Sequence, residues 1–441
     1  MHLVDRLRAF RDSFIMVPSI FIVCGIGLSL ILVALDQAMG YGPADATLLF
    51  FTVGPEGARG ILSSIASTVL SVATMAFSIT ISVMSSASSS FGPRLVRNFM
   101  SDRGNQVVLG TFTSTFLYCL LVMRSVQGAD NSVSGQSFVP HIAVNFSMVL
   151  ALACVGVLIY FINHIASGIQ VSTIATTVQS KYLKLIDRNN EFGEKGSATC
   201  VRQDERSNWP YSYPVCTSDS GYVVDIEPVV LAEKTKDSQA FVSLLVRAGD
   251  HLVEGQRIAW IFSDTELEPE TLEKMKSDVQ AICSLGDSRT DYNDIRFVQG
   301  QIVELGVRAL SPGTNDPFTL TDSTHELTVG LVRAAQQPPA PNTVICDGRA
   351  CVGYLPVEAA ELIDLVFDSF RSYALDHEQC LIDLLKMAGK IICLGSDQQA
   401  TARARWHAAV IVEYFRATEP LPHSLDLVLS AYDRYIVQQQ F

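Results

Sequence analysis

The stretch from Ile61 to Ser90 limits what the whole chain can become. It is apolar and long enough to cross a bilayer as a helix, a crossing that takes about 20 residues, yet hydroxyl side chains stand at nearly every second position. Ser64, Ser71, Ser78 and Ser85 recur every seven residues, and Ser67, Thr68, Thr74, Ser82, Ser88 and Ser89 fall between them. At about 3.6 residues per turn these positions gather on one broad face, while Ile65, Val69, Val72, Ala76, Ile79 and Val83 point largely elsewhere. Such a stripe cannot face hydrocarbon without penalty, so it turns toward another helix or toward water. Which of the two it meets is the functional question.

Composition agrees with a membrane protein. Hydrophobic residues make up 48% of the chain and charged ones only 17%, with a mean hydropathy of +0.27. Residues 1–166 carry 8 Lys+Arg against 7 Asp+Glu, and the remainder carries 24 against 38. That acidic C-terminal part argues against nucleic acid as a partner, because phosphate binding needs a basic footprint. The ten cysteines show no metal-like cadence: Cys346 and Cys351 are separated by four residues with no histidine cluster nearby, and Cys24, Cys119 and Cys154 lie in apolar runs. All ten are read as reduced, and neither a metal nor a cofactor is expected. The first apolar run is too long for a cleavable signal peptide and lacks a small-residue cleavage pattern.

Taken in order, Met1 to Asp12 is a short amphipathic lead with Arg6, Arg8 and Arg11. Four spans follow, at Phe14 to Leu35, Ile61 to Ser90, Val107 to Val126 and His141 to Ala166, with Asp36 to Gly60 read as a loop. Basic residues gather before the first span, between the second and third at Arg94, Arg97 and Arg103, and after the fourth at Lys181, Lys184 and Arg188. By the positive-inside rule both termini are cytoplasmic, in a bacterial inner membrane. Residues 167–208 read as a connecting helix, Gln170 to Asn189, and a linker.

Residues 209–265 have strand character. Arg247-Ala-Gly-Asp-x-Leu252-x-x-Gly255-Gln-x-Ile258 resembles the turn of biotinyl/lipoyl-type barrel-sandwich modules, where two glycines allow tight turns between short strands. The carrier lysine of those modules sits in a tight hairpin, whereas Lys234 and Lys236 fall in a longer charged insertion, so a structural β module is expected rather than a lipoylated arm. Residues 266–441 are mainly helical, with helices at Glu268 to Leu285, Asp294 to Leu310, Val357 to Ala374, Glu378 to Leu394, Gln398 to Arg416 and His423 to Val437. A β-hairpin is expected from Thr343 to Tyr354 around Asp347-Gly348. The fold class is therefore a four-span α-helical membrane domain with a C-terminal α+β cytosolic domain containing a small barrel-sandwich-like module.

Two runs carry a family resemblance. One is Phe77-Ser-Ile-Thr with Ser88-Ser-Ser-Phe-Gly-Pro-Arg-Leu-Val-Arg-Asn-Phe-Met100 and Asp102-Arg-Gly-Asn-Gln-Val-Val-Leu-Gly-Thr-Phe112. The other is Arg289-Thr with Asp294, then Ala309-Leu-Ser-Pro-Gly-x-Asn315-Asp-Pro317-x-Thr319. Together they resemble the bacterial inner-membrane family designated domain of unknown function 2254, over nearly the whole chain. The resemblance implies the membrane topology and a cytosolic C-terminal half; it implies no catalytic or ligand residue.

No Gly-rich phosphate loop, paired histidines at metal spacing or nucleophile elbow is present, and no enzymatic activity is expected. The eight histidines are isolated; His141 and His164 bracket the fourth span, where they read as interfacial anchors or pH sensors. Ser311, Asn315, Asp316 and Thr319 form either a ligand-facing helix start or a well-capped turn between helices. The hydroxyl stripe itself reads either as dry helix packing or as a pore lining, and its excess over one close contact favours the pore. On that reading Ser64, Ser67, Ser71, Thr74, Ser78, Ser82 and Ser85 line a channel at the axis of a homo-oligomer, with Arg94 and Arg97 at its cytoplasmic mouth. The expected partners are membrane lipid, further copies of the chain, and a permeant ion or small cytosolic ligand. The alternatives are a membrane-anchored sensor or scaffold, or a small-solute transporter.

Overall fold

The second apolar run folds as one unbroken helix. The computed structural model describes residues 15–39, 53–92, 102–128, 137–168, 171–191, 193–195, 198–202 and 209–441. Four helices in it are long and apolar enough to cross a membrane: α1 (Met16–Met39), α2 (Pro55–Phe91), α3 (Arg103–Ser125) and α4 (His141–Gly168). At 1.5 Å per residue the 37 residues of α2 span about 55 Å, well beyond a hydrocarbon core of about 30 Å. It starts where Pro55 supplies a preset φ in the first turn and stops at Gly92, whose φ of 106° no other residue adopts without strain. Basic Arg94 and Arg97, like Arg6, Arg8 and Arg11, lie outside the described residues.

The chain divides into two compact units, Met1–Thr173 and Ile174–Phe441. In the first, α3 is the central helix. It packs on α1 and α2, and it buries Tyr118, Cys119 and Val122 against Ala58, Leu62 and Ala66 of α2. A Cβ at Gly110 would stand 3.1 Å from Phe21, and one at Gly25 would collide with Ser114, so α1 and α3 cross with almost no space between their backbones.

Asp36 is not in a loop, as the sequence suggests, but in the last turns of α1, and it is only 5% exposed. Its two oxygens accept from the Ile142 and Ala143 amides at 3.0 Å each, so the carboxylate of one span caps the start of another. Tyr118 of α3 donates to the Ala143 carbonyl at 2.8 Å, tying three helices at one end. Asp36→Ala is expected to cost about 1–2 kcal/mol, read as a lower unfolding temperature in micelles, with Asp36→Asn losing about half as much because one acceptor survives.

The second unit begins with α5 (Val171–Asn189), largely within it, and then alternates strands and helices. The strands are β1 (Gly193–Lys195), β2 (Ala198–Val201), β3 (Tyr211–Cys216), β4 (Gly221–Ile226), β5 (Phe241–Leu244), β6 (His251–Leu252), β7 (Arg257–Ser263), β8 (Cys283–Gly286), β9 (Thr343–Cys346) and β10 (Arg349–Gly353). They form a seven-stranded sheet in the order β1-β2-β9-β10-β5-β7-β3 and a three-stranded one in the order β6-β4-β8. Strand structure thus reaches well beyond residues 209–265. The hairpin β9–β10 turns at Asp347 and Gly348, both at positive φ as its two-residue turn requires, and β10 pairs in parallel with β5.

The charged insertion that holds Lys234 contains a helix, α6 (Pro228–Thr235), whose Leu231 and Ala232 bury against the sheet. One local expectation is corrected here. The helix after Pro269, α7 (Pro269–Ile282), stops short of Leu285, because Cys283 to Gly286 pair with β4 instead. The remaining helices are α8 (Ile295–Ala309), α9 (Pro317–Gln336), α10 (Ala359–Ala374), α11 (Glu378–Leu394), α12 (Gln398–Ala417) and α13 (Pro422–Tyr432). The last ends in one wider turn, Asp433–Val437, so the helical pattern read to Val437 is right in extent and wrong in its final pitch.

Candidate functional site

Helix α2 has two unlike faces. Ala58, Leu62, Ala66, Val69, Ala73, Ala76 and Ala87 are buried, the upper ones against Val108 and Phe112 of α3 and Cys154 and Phe161 of α4. Small residues there let the neighbouring helices come close. The opposite face carries Ser64, Ser67, Ser71, Thr74, Ser78, Ser82 and Ser85, and all seven are exposed, as are Ser63, Thr68, Ser86 and Ser89. Within the single chain, then, the stripe is not sealed against the other three long apolar helices. Leu70, Met75, Phe77 and Ile81 flank it at 46–66% exposure.

The hydroxyls split into two groups. Ser67, Ser71 and Thr74 donate back to the carbonyls of Ser64, Ser67 and Leu70 at 3.1, 2.9 and 2.9 Å. Their protons are thereby engaged and their oxygen lone pairs point outward. The hydroxyls of Ser64, Ser78, Ser82 and Ser85 make no hydrogen bond among the described residues. An unpaired hydroxyl in an apolar medium costs about 1–3 kcal/mol, so four of them against lipid tails form an unfavourable surface. At one edge of the stripe Ser64 and Thr68 border a crevice of about 270 Å³, closed by Val72, Phe112, Cys154 and Leu158.

The Ser311–Thr319 turn spends its polar groups on itself. Asp316 accepts from the Phe318 and Thr319 amides at 3.1 and 3.3 Å and from the Thr319 hydroxyl at 2.6 Å. The Asn315 and Asp316 amides donate to Ser311 and Ala309 carbonyls at 2.9 and 2.8 Å, and the Ser311 hydroxyl lies 3.4 Å from that of Thr314. This is a helix stop followed by a capped start. Beside it Phe318 is 81% exposed.

His164 meets a partner the sequence does not reveal. Its Nε2 lies 2.5 Å from Asp102 Oδ2, while Oδ1 of the same carboxylate accepts from the Gly104 amide at 2.8 Å and caps α3. Tyr160 stacks on the imidazole at 5.3 Å. The N-cap is legible in Asp102-Arg-Gly; the pairing, 62 positions away in the chain, is not.

A second histidine, His407 of α12, is fully buried on Phe367 of α10. Arg371 can only donate, so its contact of 3.2 Å to Nδ1 makes that nitrogen the acceptor and puts the ring proton on Nε2, which donates to Asp364 at 2.8 Å. Asp364 also accepts from Arg403, and Asp368 from Arg371 at 2.8 Å. Burial pushes the imidazole pKa down, against the opposing pull of Asp364. The folded state therefore resists a proton that the unfolded chain takes up, and stability present above about pH 6.5 is lost as pH falls from there toward the depressed folded value. Between about pH 8 and about pH 5, the unfolding temperature of His407→Phe is expected to fall less than that of the parent protein. Equal slopes would show that His407 contributes nothing to the pH dependence.

Arg289 and Asp294, from the second of the two family-like runs, sit at a joint rather than in a cleft. Asp294, almost fully buried, accepts both Nε and Nη2 of Arg289 at 2.6 and 2.9 Å and caps α8 through the Phe297 amide at 2.9 Å. Arg296 reaches Asp250 at 2.7 Å and the Ala248 carbonyl at 3.0 Å, and Arg247 reaches Glu361 at 2.5 Å. Gly249, at φ 88°, sits where any Cβ would strike the Asp294 carboxylate. The two-glycine turn is thus clamped to α8 and α10.

Four bilayer-length helices, a polar face turned outward from them and a separate α+β unit define a polytopic membrane protein with a large extramembrane part. A family model described as "Predicted membrane protein (DUF2254)" matches residues 11–390, and the chain belongs to that family. Uncharacterised proteins from Mycobacterium tuberculosis and Mycobacterium bovis are each 30% identical to it over 331 residues. The match covers 74% of this chain and 62% of those relatives' own length. No solved structure matches.

Proposed function

We propose that the protein assembles in the bacterial cytoplasmic membrane as a ring of identical subunits, both termini inside, with α2 facing the axis of an ion-conducting pore. The observation that supports this reading is the outward direction of all seven hydroxyl positions from Ser64 to Ser85, opposite the alanine face by which α2 packs in its own subunit. Four helices enclose no comfortable aqueous path, so a pore needs several copies around an axis. Hydroxyls serve a partly hydrated ion as both donors and acceptors without fixing a charge. The Arg94 and Arg97 rings would favour anions at the cytoplasmic mouth, while the acidic C-terminal part acts the other way. The C-terminal unit regulates the pore.

The purified chain in planar bilayers, with its subunits counted in detergent, tests the proposal. Currents from an oligomer are expected; a monomer without current overturns it. The second reading is a membrane-anchored sensor or scaffold, favoured by the size of the Ile174–Phe441 unit. Absence of current in an oligomer that retains a specific soluble partner would establish that reading instead.

A further inference from the structure

Within the Ile174–Phe441 unit, α5, α9 and α11 border an open groove of about 960 Å³. Small-molecule sites run from roughly 300 to 1,000 Å³ and are mostly apolar with a few placed polar groups. Leu183, Val329, Val332 and Leu394 supply aliphatic lining, and Phe441 adds a ring. Val329, Leu394 and Phe441 are 49%, 53% and 57% exposed, so this apolar surface is open.

The charges in the groove are unevenly used. Asp187 accepts from Arg333 Nε at 2.9 Å and Gln337 Nε2 at 2.8 Å, and the Arg333 bond holds its carboxyl below the usual range. Lys390 is half-buried in the same lining, and its side chain makes no ion pair or hydrogen bond among the described residues. Exposed His325 has Asp322 and Glu326 of its own helix for company. The one side-chain carboxylate in the lining is therefore taken, while the Lys390 ammonium has no side-chain partner among the described residues. This is the reverse of the unit's acidic balance, 24 Lys+Arg against 38 Asp+Glu.

We propose that this groove binds an aliphatic monocarboxylate, its chain along Val329, Val332 and Leu394 and its carboxylate on the Lys390 ammonium. An unpaired cation beside the aliphatic lining of an open groove matches one negative head on an uncharged tail. A cationic amphiphile would leave Lys390 unmatched. The assignment holds whether or not the protein conducts.

Cys393 lines the same groove and its thiol is exposed, which provides a reporter. The full chain is placed in lipid nanodiscs with the other two exposed thiols removed by Cys24→Ser and Cys216→Ser. Maleimide alkylation of Cys393 is then timed against added decanoate, octanoate or decylamine. Decanoate is expected to slow alkylation, with octanoate needing about tenfold more, since each methylene is worth roughly three- to fourfold in affinity. Decylamine should protect at least about tenfold less well than decanoate. Lys390→Gln should raise the half-protecting decanoate concentration about tenfold, Lys390→Arg should preserve it, and Val329→Trp should abolish protection at an unchanged melting temperature. Equal protection by decanoate and decylamine, protection that survives Val329→Trp, or no protection at all would each overturn the assignment.

Discussion

A ring in which Ser71 and Ser78 are both leucine is expected to lose at least about tenfold of its single-channel conductance, because an apolar constriction repeated in every subunit sheds water. Ser71 donates to the Ser67 carbonyl at 2.9 Å, whereas the Ser78 hydroxyl makes no hydrogen bond among the described residues. The two lie one heptad apart on the exposed face of α2, so each substitution removes an outward oxygen and adds a branched chain at the same height in every copy. The alanine pair is the informative control. It removes the oxygens but keeps the bore, and conductance should fall only severalfold. Dry packing between subunits predicts the opposite pattern. Alanine would then be tolerated, while leucine would prevent the backbones from approaching and would break the oligomer apart. Recording current and subunit number on the parent, the leucine pair and the alanine pair separates the two.

The second large effect is expected far from the stripe. Asp294→Ala should destabilise the protein by about 3–5 kcal/mol, because it leaves Arg289 without its bidentate partner next to a carboxylate site that is almost closed to solvent. It also removes the cap from α8, where the Phe297 amide donates at 2.9 Å. Asp294→Asn keeps the cap and one bond to Arg289 and should recover part of the loss. Gly249→Ala should be damaging for two separate reasons, its φ of 88° and the collision of the new methyl with Asp294. Chemical denaturation followed by tryptophan fluorescence measures all three; a loss below about 1 kcal/mol for Asp294→Ala would mean the joint is not what holds the β strands to the helices.

What could be read in the chain depended on how far apart the interacting groups are. Spans, caps and the hairpin at Asp347-Gly348 are local, and α1 to α4 lie close to where hydropathy puts them. The faces of α2 were also legible, since a period of about 3.6 separates alanines from serines without any reference to a partner. Asp36 was misread because its partners are the amides of Ile142 and Ala143, 106 and 107 positions away. His407 carried no signal, for its burial depends on Phe367, Asp364 and Arg371 from another helix. The sheet is a similar case: β10 joins β5 in parallel across more than a hundred residues, a pairing that strand propensity cannot specify.

By itself the sequence determined that this chain has four runs long and apolar enough to cross a membrane and that the second has a hydroxyl side, because bilayer length and helical period are properties of contiguous residues. Only the tertiary structure decided which side of that helix its neighbours take. The alanine side admits α3 and α4 closely enough to bury Phe112, and once it does, the serines have nowhere to point but away from the other three helices.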